Sequence, residues 1–182
     1  MDIENTKLPP HSVDSEQSVL GGLLLHNQAW DRVVDILNTN DFYQASHRII
    51  YDAIVTLLEH DKPADILTVK EQVIKTHSEE SIGGFVYLAQ IADNTPSVSN
   101  IEAYAKHVRE LSVYRQLITI GREIADTAFQ PKNIEVDELL DLSEKKIFEI
   151  AEQVIRNKQD VTNIKDIIKD VVNSVHEMQE KK

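Results

Sequence analysis

Apolar residues recur at steps of three and four along most of the chain, which is the spacing of one face of an α-helix. The segment 46–60 shows the pattern well, because its apolar stripe comprises Ile49, Ile50, Ala53, Ile54, Leu57 and Leu58. Shorter runs with the same spacing predict helices at about 14–26, 29–37, 66–77 and 85–93. The first part of the chain therefore indicates a globular domain built from several helices.

Local signals mark where two of these helices begin. Ser12 and Asp14 are candidate N-caps of the first helix, since their side-chain oxygens can accept a hydrogen bond from an unpaired backbone N–H. Thr68 and Glu71 have the spacing of a capping box for the 66–77 helix. Both signals predict where a helix begins from residues within the same short segment of the chain.

Glycines occur at two informative places in this domain. Gly21 and Gly22 fall inside the first predicted helix, where each costs about 1 kcal/mol relative to alanine. We expect a neighbouring helix to approach the backbone closely there, because glycine has no Cβ to keep it away. Gly83 and Gly84 instead predict a turn before the 85–93 helix.

The character of the chain changes at about residue 101. The segment 101–129 runs without proline for longer than a typical globular helix, and Pro131 ends it. Asp137 is a candidate cap for a second long helix at 138–156, so the two helices predict a helical hairpin. The second helix carries apolar residues in heptad-like steps, namely Val136, Leu140, Ile147, Ile150 and Val154.

The hairpin helices carry more apolar surface than one partner helix covers, since Leu139, Leu142 and Phe148 lie off the heptad-like stripe. One interpretation is an arm that packs on its own globular domain. The other, which we favour, is a hairpin that also pairs with a second copy of the chain, because exposed apolar surface usually marks an interface.

The final segment, 163–182, predicts one more amphipathic helix. Its stripe consists of Ile164, Ile167, Ile168, Val171, Val172 and Val175. The charged segment 156–162 has no apolar pattern and is typical of a linker. Because β-branched residues favour an isolated helix only weakly, we expect residues after about 157 to be mobile or to pack on another molecule.

These patterns together predict an all-α chain, with a small globular helical domain, a long helical hairpin and a C-terminal linker helix. The predicted boundaries are a flexible N-terminal arm at 1–13, the globular domain at 14–98, the hairpin at 99–156, and the linker with its helix at 157–182.

Composition narrows the class of function. The 182 residues carry a net charge of −12 without a concentrated basic run, which argues against direct nucleic-acid binding by this chain. The absence of cysteine excludes disulfides and cysteine-ligated zinc and is compatible with a cytoplasmic location. The N-terminus lacks the features of a signal peptide, and no apolar run is long enough to span a membrane.

Sequence motifs for catalysis are absent from the chain. No G-x-x-x-x-G-K-[ST] phosphate loop, G-x-S-x-G, H-E-x-x-H or EF-hand pattern occurs, and the histidines show no i,i+4 pairing for a metal. His47 opens a helix, where a structural or capping role is expected. The pairs Glu79–Glu80 and Asp137–Glu138 complement helix dipoles. We therefore expect no catalysis, cofactor or metal in this chain.

Five segments, taken in order, resemble a known family. They read PPHSVDSEQSVLGGLLL, NDFYQASHRIIYDAI, KPADILTV, GGFVYLAQIADNTPSVSNIEAYAKHVRE and VDELLDLSEKKIFEIAE, and cover about 10–155. They are similar to the N-terminal domain of the bacterial replicative DNA helicases, the DnaB family. Ser143 stands where the family usually has alanine, and Gly22 where many members carry a larger residue. The family's RecA-like ATPase domain has no counterpart in this sequence.

The resemblance implies a non-catalytic part of a hexameric helicase that unwinds DNA at the replication fork with ATP. ATP and Mg²⁺ would bind in the missing domain, and DNA only through the assembled ring. In the family, the N-terminal domains pair through their hairpins and form a trimer-of-dimers collar on which primase docks; a helicase loader is a further partner. On this reading the hairpins pair through Leu140, Ile147, Ile150 and Val154.

The resemblance also makes Tyr87, Ile118 and Ile124 candidate primase-facing residues, with the alternative that all three are ordinary core residues. It implies that the terminal helix packs against the ATPase domain of the neighbouring subunit. Two other classes stay open: a free-standing helical adaptor that binds a partner through its C-terminal amphipathic helix, and a small enzyme whose site has no sequence signature. A phosphate loop encoded beyond Lys182 would eliminate the adaptor.

Overall fold

Helices make up all the regular structure in the described part of the chain, which in the computed structural model comprises residues 8–95, 97–131, 134–152 and 154. These residues form six α-helices: α1 Val13–Leu25, α2 Ala45–Glu59, α3 Ile66–Ile74, α4 Gly84–Asp93, α5 Ile101–Phe129 and α6 at 136–152. The all-α fold class is therefore confirmed. The predictions for 155–182, including the linker helix, lie outside the described residues.

Short 3-10 helices connect the longer elements, at Asn27–Arg32, Thr39–Asp41, Glu79–Ile82 and Val98–Asn100. The first of them corrects the α-helix predicted at 29–37. Only His26 separates this segment from α1, and no side chain caps its start, so the backbone adopts tighter turns instead of a new α-helix. Val33 and Leu37 are nevertheless buried, which explains the apolar pattern of the segment.

The capping residues settle how two helices begin. α1 starts after Ser12, whose Oγ accepts a hydrogen bond from the Ser15 N–H at 3.3 Å. α3 starts after Asp65, whose Oδ1 accepts from the Thr68 N–H at 2.9 Å, while the Thr68 hydroxyl accepts from the Asp65 N–H at 2.8 Å. The predicted Thr68–Glu71 capping box is therefore wrong. Asp65 opens the box three residues earlier, because its carboxylate is the stronger cap.

The glycine pair in α1 lies where other elements come close. A Cβ on Gly21 would stand 1.9 Å from Thr95 Oγ1 and 2.5 Å from the carbonyl oxygen of Ile91, at the end of α4. A Cβ on Gly22 would stand 2.8 Å from Ile101 Cδ1, at the start of α5. The predicted close approach is confirmed, and a side chain at position 22 would require the end of the Ile101 side chain to move.

The chain divides into two compact units within α5, the first ending at Gln116 and the second beginning at Leu117. The sequence pattern ends the globular domain earlier, at residue 98. The difference arises because Ile101, Ala105 and Val108, on the first half of α5, are buried in the core of the first unit. The largest apolar side chains fully buried in that core are Tyr51, Phe42, Leu20, Leu23, Ile50, Ile54, Ile82, Leu88, Ile91 and Ile101.

The second unit contains the rest of α5 and all of α6. Leu139 and Leu142 of α6 line a small cavity together with Ile124 of α5, so the two helices pack against each other as a hairpin. α6 begins at residue 136, earlier than its predicted start at 138. Asp137 therefore lies inside the first turn of α6 and does not precede it as a cap.

Part of the predicted N-terminal arm lies against the first unit. Arg115 of α5 donates from Nη1 to the Pro10 carbonyl at 2.8 Å. The His11 ring stacks on the Tyr43 ring with centroids 4.1 Å apart. These contacts hold residues 10 and 11 on the domain, whereas residues 1–7 of the arm lie outside the described part of the chain.

Candidate interaction surfaces

A carboxylate is buried near the start of α1. Glu16 is 1% exposed, and its Oε1 accepts from the Tyr43 N–H at 2.6 Å while Oε2 accepts from the Gln44 N–H at 3.3 Å. Oε2 also lies 2.6 Å from Nδ1 of His47 on α2. Burying a carboxylate is costly unless its oxygens are hydrogen-bonded, and here three partners satisfy them.

The hydrogen bonds continue from His47 to Tyr87 on α4. His47 has no exposed surface, and its Nε2 lies 2.8 Å from the Tyr87 hydroxyl. The two rings are nearly parallel, at 8°, with centroids 5.9 Å apart. Gln17 donates from Nε2 to the same hydroxyl at 3.1 Å. We call Glu16, Gln17, His47 and Tyr87 the tyrosine network; it joins α1, α2 and α4 and confirms a structural role for the histidine.

The segment 41–44, which begins at the last residue of the 3-10 helix Thr39–Asp41, is held by three arginines. The Asp41 carboxylate pairs with Arg109 of α5 at 2.6 Å, and Arg48 of α2 donates from Nε to the Phe42 carbonyl at 2.7 Å. Arg115 donates to the Asp41 carbonyl, and burial lowers the pKa of the Arg115 guanidinium below its ordinary value. These contacts define the backbone path that brings two N–H groups to the carboxylate of the tyrosine network.

The three candidate primase-facing residues lie in different surroundings. Tyr87 is in the first unit, partly buried, with its hydroxyl bound inside the chain. Ile118 and Ile124 are on α5 in the second unit; Ile118 is 40% exposed, whereas Ile124 is partly buried against α6. Residues six apart on an α-helix point about 120° apart. Ile118 is therefore available to a partner, and Ile124 belongs to the packing of the hairpin.

The predicted hairpin-pairing residues also divide into two groups. Leu140 and Ile147 are 62% and 49% exposed. Ile150, in contrast, is 6% exposed, and Val154 is partly buried. The side chain of Ile150 is thus already covered within the chain, whereas Leu140 and Ile147 are open to solvent.

Apolar side chains are exposed along much of the second unit. They are Leu117, Ile118, Phe129, Val136, Leu140, Leu142, Ile147 and Phe148. Val136, Leu140 and Ile147 recur at steps of four and seven, so they lie on one side of α6, and we call them the α6 stripe. The residues that line the cavity with α5 are Leu139 and Leu142, which the heptad-like reading places off the main stripe. α6 therefore has two apolar faces, of which its own chain covers one.

The described residues contain no group of three or more side chains suited to hold a metal, and no described helix is long and apolar enough to cross a membrane. A groove of about 680 Å³ lies beside the end of α1 and the 3-10 helix Val98–Asn100. Arg32 in this groove donates to the carbonyl oxygens of Val98 and Ser99, at 3.4 and 2.8 Å. Its guanidinium therefore ties two connecting segments together.

The sequence predicts a structural or capping role for His47, but it does not predict that Glu16, Gln17 and Tyr87 are its neighbours in a hydrogen-bond network. Its members come from α1, α2 and α4, and their separations of 31 residues, from Glu16 to His47, and 40 residues, from His47 to Tyr87, match no local motif. One signal was present, because Glu16 falls three and four positions before the buried Val19 and Leu20. A carboxylate on the core-facing side of a helix predicts a buried polar partner.

The described residues form an all-helical module whose second unit exposes several large apolar side chains. The family model described as the DnaB-like helicase N terminal domain matches residues 8–110, and this chain belongs to that family. The resemblance carried by the five sequence segments is thereby confirmed.

Curated relatives agree with the family. The chain is 39% identical to the replicative DNA helicase DnaB of Pasteurella multocida over 173 residues, which are 95% of this chain and 37% of that protein. It is 35% identical to the replicative DNA helicase DnaC of Bacillus subtilis over 181 residues, which are 100% of this chain and 39% of that protein. The chain thus spans well under half the length of these relatives.

Solved structures show the same fold. The N-terminal domain of DnaB helicase from Mycobacterium tuberculosis superposes with a TM-score of 0.75 at 32% identity, covering 78% of this chain and 99% of that one. A DnaB-like replicative helicase, solved with its interactions with primase, superposes with a TM-score of 0.63 at 19% identity. That match covers 90% of this chain and 35% of the helicase chain, and it shows a shared fold.

Proposed function

We propose that this chain forms the assembly and primase-recruitment part of a hexameric replicative DNA helicase that unwinds DNA with ATP. Membership of the DnaB-like N-terminal domain family supports this proposal, as does a match to about 37% of a replicative helicase such as that of Pasteurella multocida. ATP and Mg²⁺ would bind in the remainder of such a protein, and DNA would be contacted by the assembled ring. The role proposed for the described residues is to assemble the hexamer and to bind primase.

The observation that carries the assembly role is the α6 stripe. Val136, Leu140 and Ile147 are large apolar side chains, all exposed on one side of a helix in a chain of net charge −12. Such a contiguous surface is unfavourable in water and usually marks an interface. In a two-fold symmetric dimer the same surface of both copies meets, so the α6 stripe of one copy would be buried against the α6 stripe of the other. Three such dimers would form the proposed collar of the hexamer.

The recruitment role is proposed for Tyr87 and Ile118. A related DnaB-like helicase interacts with primase, and this chain shares its fold. Tyr87 offers part of an aromatic ring and Ile118 an exposed aliphatic side chain, both of which are favoured at interfaces. Ile124 would contribute through the packing of the hairpin, because it is partly buried against α6.

Three further proposals follow from the family. The terminal stripe Ile164, Ile167, Ile168, Val171, Val172 and Val175 would pack against the ATPase domain of the neighbouring subunit. A helicase loader would be a second protein partner. The protein would work in the cytoplasm, where replication takes place in bacteria.

Size-exclusion chromatography with light scattering tests the assembly role. We expect the 20.7 kDa chain to elute at twice its mass or more, and Leu140→Asp to elute as a monomer, because a charge in the centre of an apolar interface is strongly unfavourable. Leu67→Asp is the matched control, since Leu67 is equally exposed but lies on α3 in the first unit. A wild-type monomer at high concentration, or a Leu140→Asp dimer, would contradict the proposal.

A further inference from the structure

The hydroxyl of Tyr87 has two hydrogen-bond partners within the chain, Gln17 and His47. The Gln17 side-chain amide donates to it at 3.1 Å. His47 Nδ1 lies 2.6 Å from the Glu16 carboxylate, which only accepts when ionised, so the pattern assigns the proton to Nδ1. His47 Nε2 then accepts from the Tyr87 O–H at 2.8 Å. The hydrogen bonds run in one direction, from Gln17 through Tyr87 and His47 to Glu16.

The ring of Tyr87 is held as well as its hydroxyl. It lies nearly parallel to the His47 imidazole, and a Cβ on Gly83 would stand 3.1 Å from Tyr87 Cβ and Cγ. Gly83 has φ +80°, a left-handed conformation that suits glycine. The backbone before α4 therefore passes tightly along the tyrosine. The side chain is fixed at both ends, while part of its surface remains open to solvent.

We propose that Gln17 and His47 are positioning residues that hold the Tyr87 ring ready for its partner, and that the partner receives this ring in an apolar slot without bonding the hydroxyl. The inference rests on the proposed primase-docking role of Tyr87. A free aromatic side chain loses conformational freedom when it binds, and holding it beforehand removes this cost. The gain corresponds to about two- to tenfold in affinity.

The burial of the network supports this role. Glu16 and His47 are 1% and 0% exposed, and polar groups buried this deeply are unfavourable unless hydrogen bonds satisfy them, whereas apolar residues there would need no partners. A buried network whose polar groups are all hydrogen-bonded instead favours one geometry of the side chains that it joins. Tyr87 lies within this network and is partly open to solvent, so the arrangement that the network specifies includes the position of a surface side chain.

Calorimetric titration of the chain with primase from the same genome tests the proposal. Gln17→Ala should weaken binding about two- to tenfold without a matching fall in melting temperature, because Gln17 is partly exposed. Gln72→Ala is the matched control: Gln72 is a partly buried glutamine on α3, with one side-chain hydrogen bond to Lys75 at 2.8 Å, and its replacement should leave affinity unchanged. Tyr87→Phe combined with Gln17→Ala should lose no more affinity than Tyr87→Phe alone, because the bond from Gln17 acts only through the hydroxyl that phenylalanine lacks.

The proposal would be overturned by unchanged affinity in Gln17→Ala, or by a loss of affinity that follows a loss of melting temperature. Additive losses in the double variant would also overturn it, since they place the hydroxyl in contact with primase. Nitrogen chemical shifts of His47 in the free chain provide a test without the partner: the proposal requires the proton on Nδ1 and is refuted by a proton on Nε2. If the wild type does not bind primase, the proposed function fails instead.

The positioning role is then tested in the free chain by measuring the rate of Tyr87 ring flipping by NMR. Faster flipping in Gln17→Ala than in wild type supports the role, and equal rates refute it.

Discussion

Replacing Gly21 by alanine should destabilise the first unit, although the change raises helix propensity. The new Cβ would stand 1.9 Å from Thr95 Oγ1 and 2.5 Å from the Ile91 carbonyl oxygen, both too close for a carbon atom. The threonine can rotate, but its hydroxyl then loses its 2.8 Å hydrogen bond to that carbonyl. The carbonyl belongs to the backbone of α4, so it moves only if α4 moves away from α1.

Two opposing contributions set the size of the effect. Alanine favours the helix by about 1 kcal/mol relative to glycine. Overpacking usually costs about 1–3 kcal/mol, and this site is at or above the upper end because backbone must shift. We expect a net loss of about 2 kcal/mol in the free energy of unfolding, which for a domain of this size lowers Tm by roughly 4–16 °C.

Urea denaturation followed by far-ultraviolet circular dichroism measures this loss. Gly121→Ala is the matched control, because Gly121 is exposed on α5 and a Cβ there meets nothing within 4 Å. It should stabilise the chain by about 0.5–1 kcal/mol. Adding Thr95→Ala to Gly21→Ala should recover part of the loss, since it removes the closer of the two contacts.

A neutral or stabilising Gly21→Ala variant would contradict the close contact between α1 and α4. The two alanine variants would then have the same sign, and the approach of α4 to α1 would be looser than the structure shows. Failure of Thr95→Ala to recover stability would refute the narrower statement that the hydroxyl is part of the obstacle.

Three other predictions concern the polar contacts of the first unit. Glu16→Ala should lower the free energy of unfolding in urea by about 3–5 kcal/mol, because it leaves buried hydrogen-bond donors without an acceptor; a loss below about 1 kcal/mol would contradict this. Arg115→Gln should free the Pro10 carbonyl and speed proteolysis near residue 10, and unchanged proteolysis would count against the contact. The hydrogen bond from the Thr68 N–H holds the pKa of Asp65 below its usual value, so the stability contributed by this carboxylate is present above the unfolded pKa and is lost as pH falls through the folded one. The stability difference between wild type and Asp65→Asn should therefore shrink in acid, and a difference independent of pH would contradict the assignment.

The sequence allowed prediction wherever a structure depends on neighbouring residues. The stripe in 46–60 predicts α2 within one residue at each end, because a helix face is defined by its own spacing. The glycine pair Gly21–Gly22 predicts the close approach of another element, because glycine destabilises a helix and tight packing against a neighbour offsets that loss. At 29–37 the same apolar spacing predicts an α-helix, and this prediction is wrong. The segment has no side chain to cap its start after α1, so it forms a 3-10 helix instead.

The all-α class, the main helices, the close approach at Gly21 and Gly22, and the family could all be predicted from the order of residues along the chain. Three features became visible only in the folded chain: α5 belongs to both units, Leu140 and Ile147 are exposed while Ile150 is buried, and Glu16, His47 and Tyr87 form one network. Periodicity reports that a helix has an apolar face, but which apolar side chains are covered depends on where the neighbouring helix lies. Hydrogen bonds between residues 31 and 40 positions apart exist only after three helices have packed together.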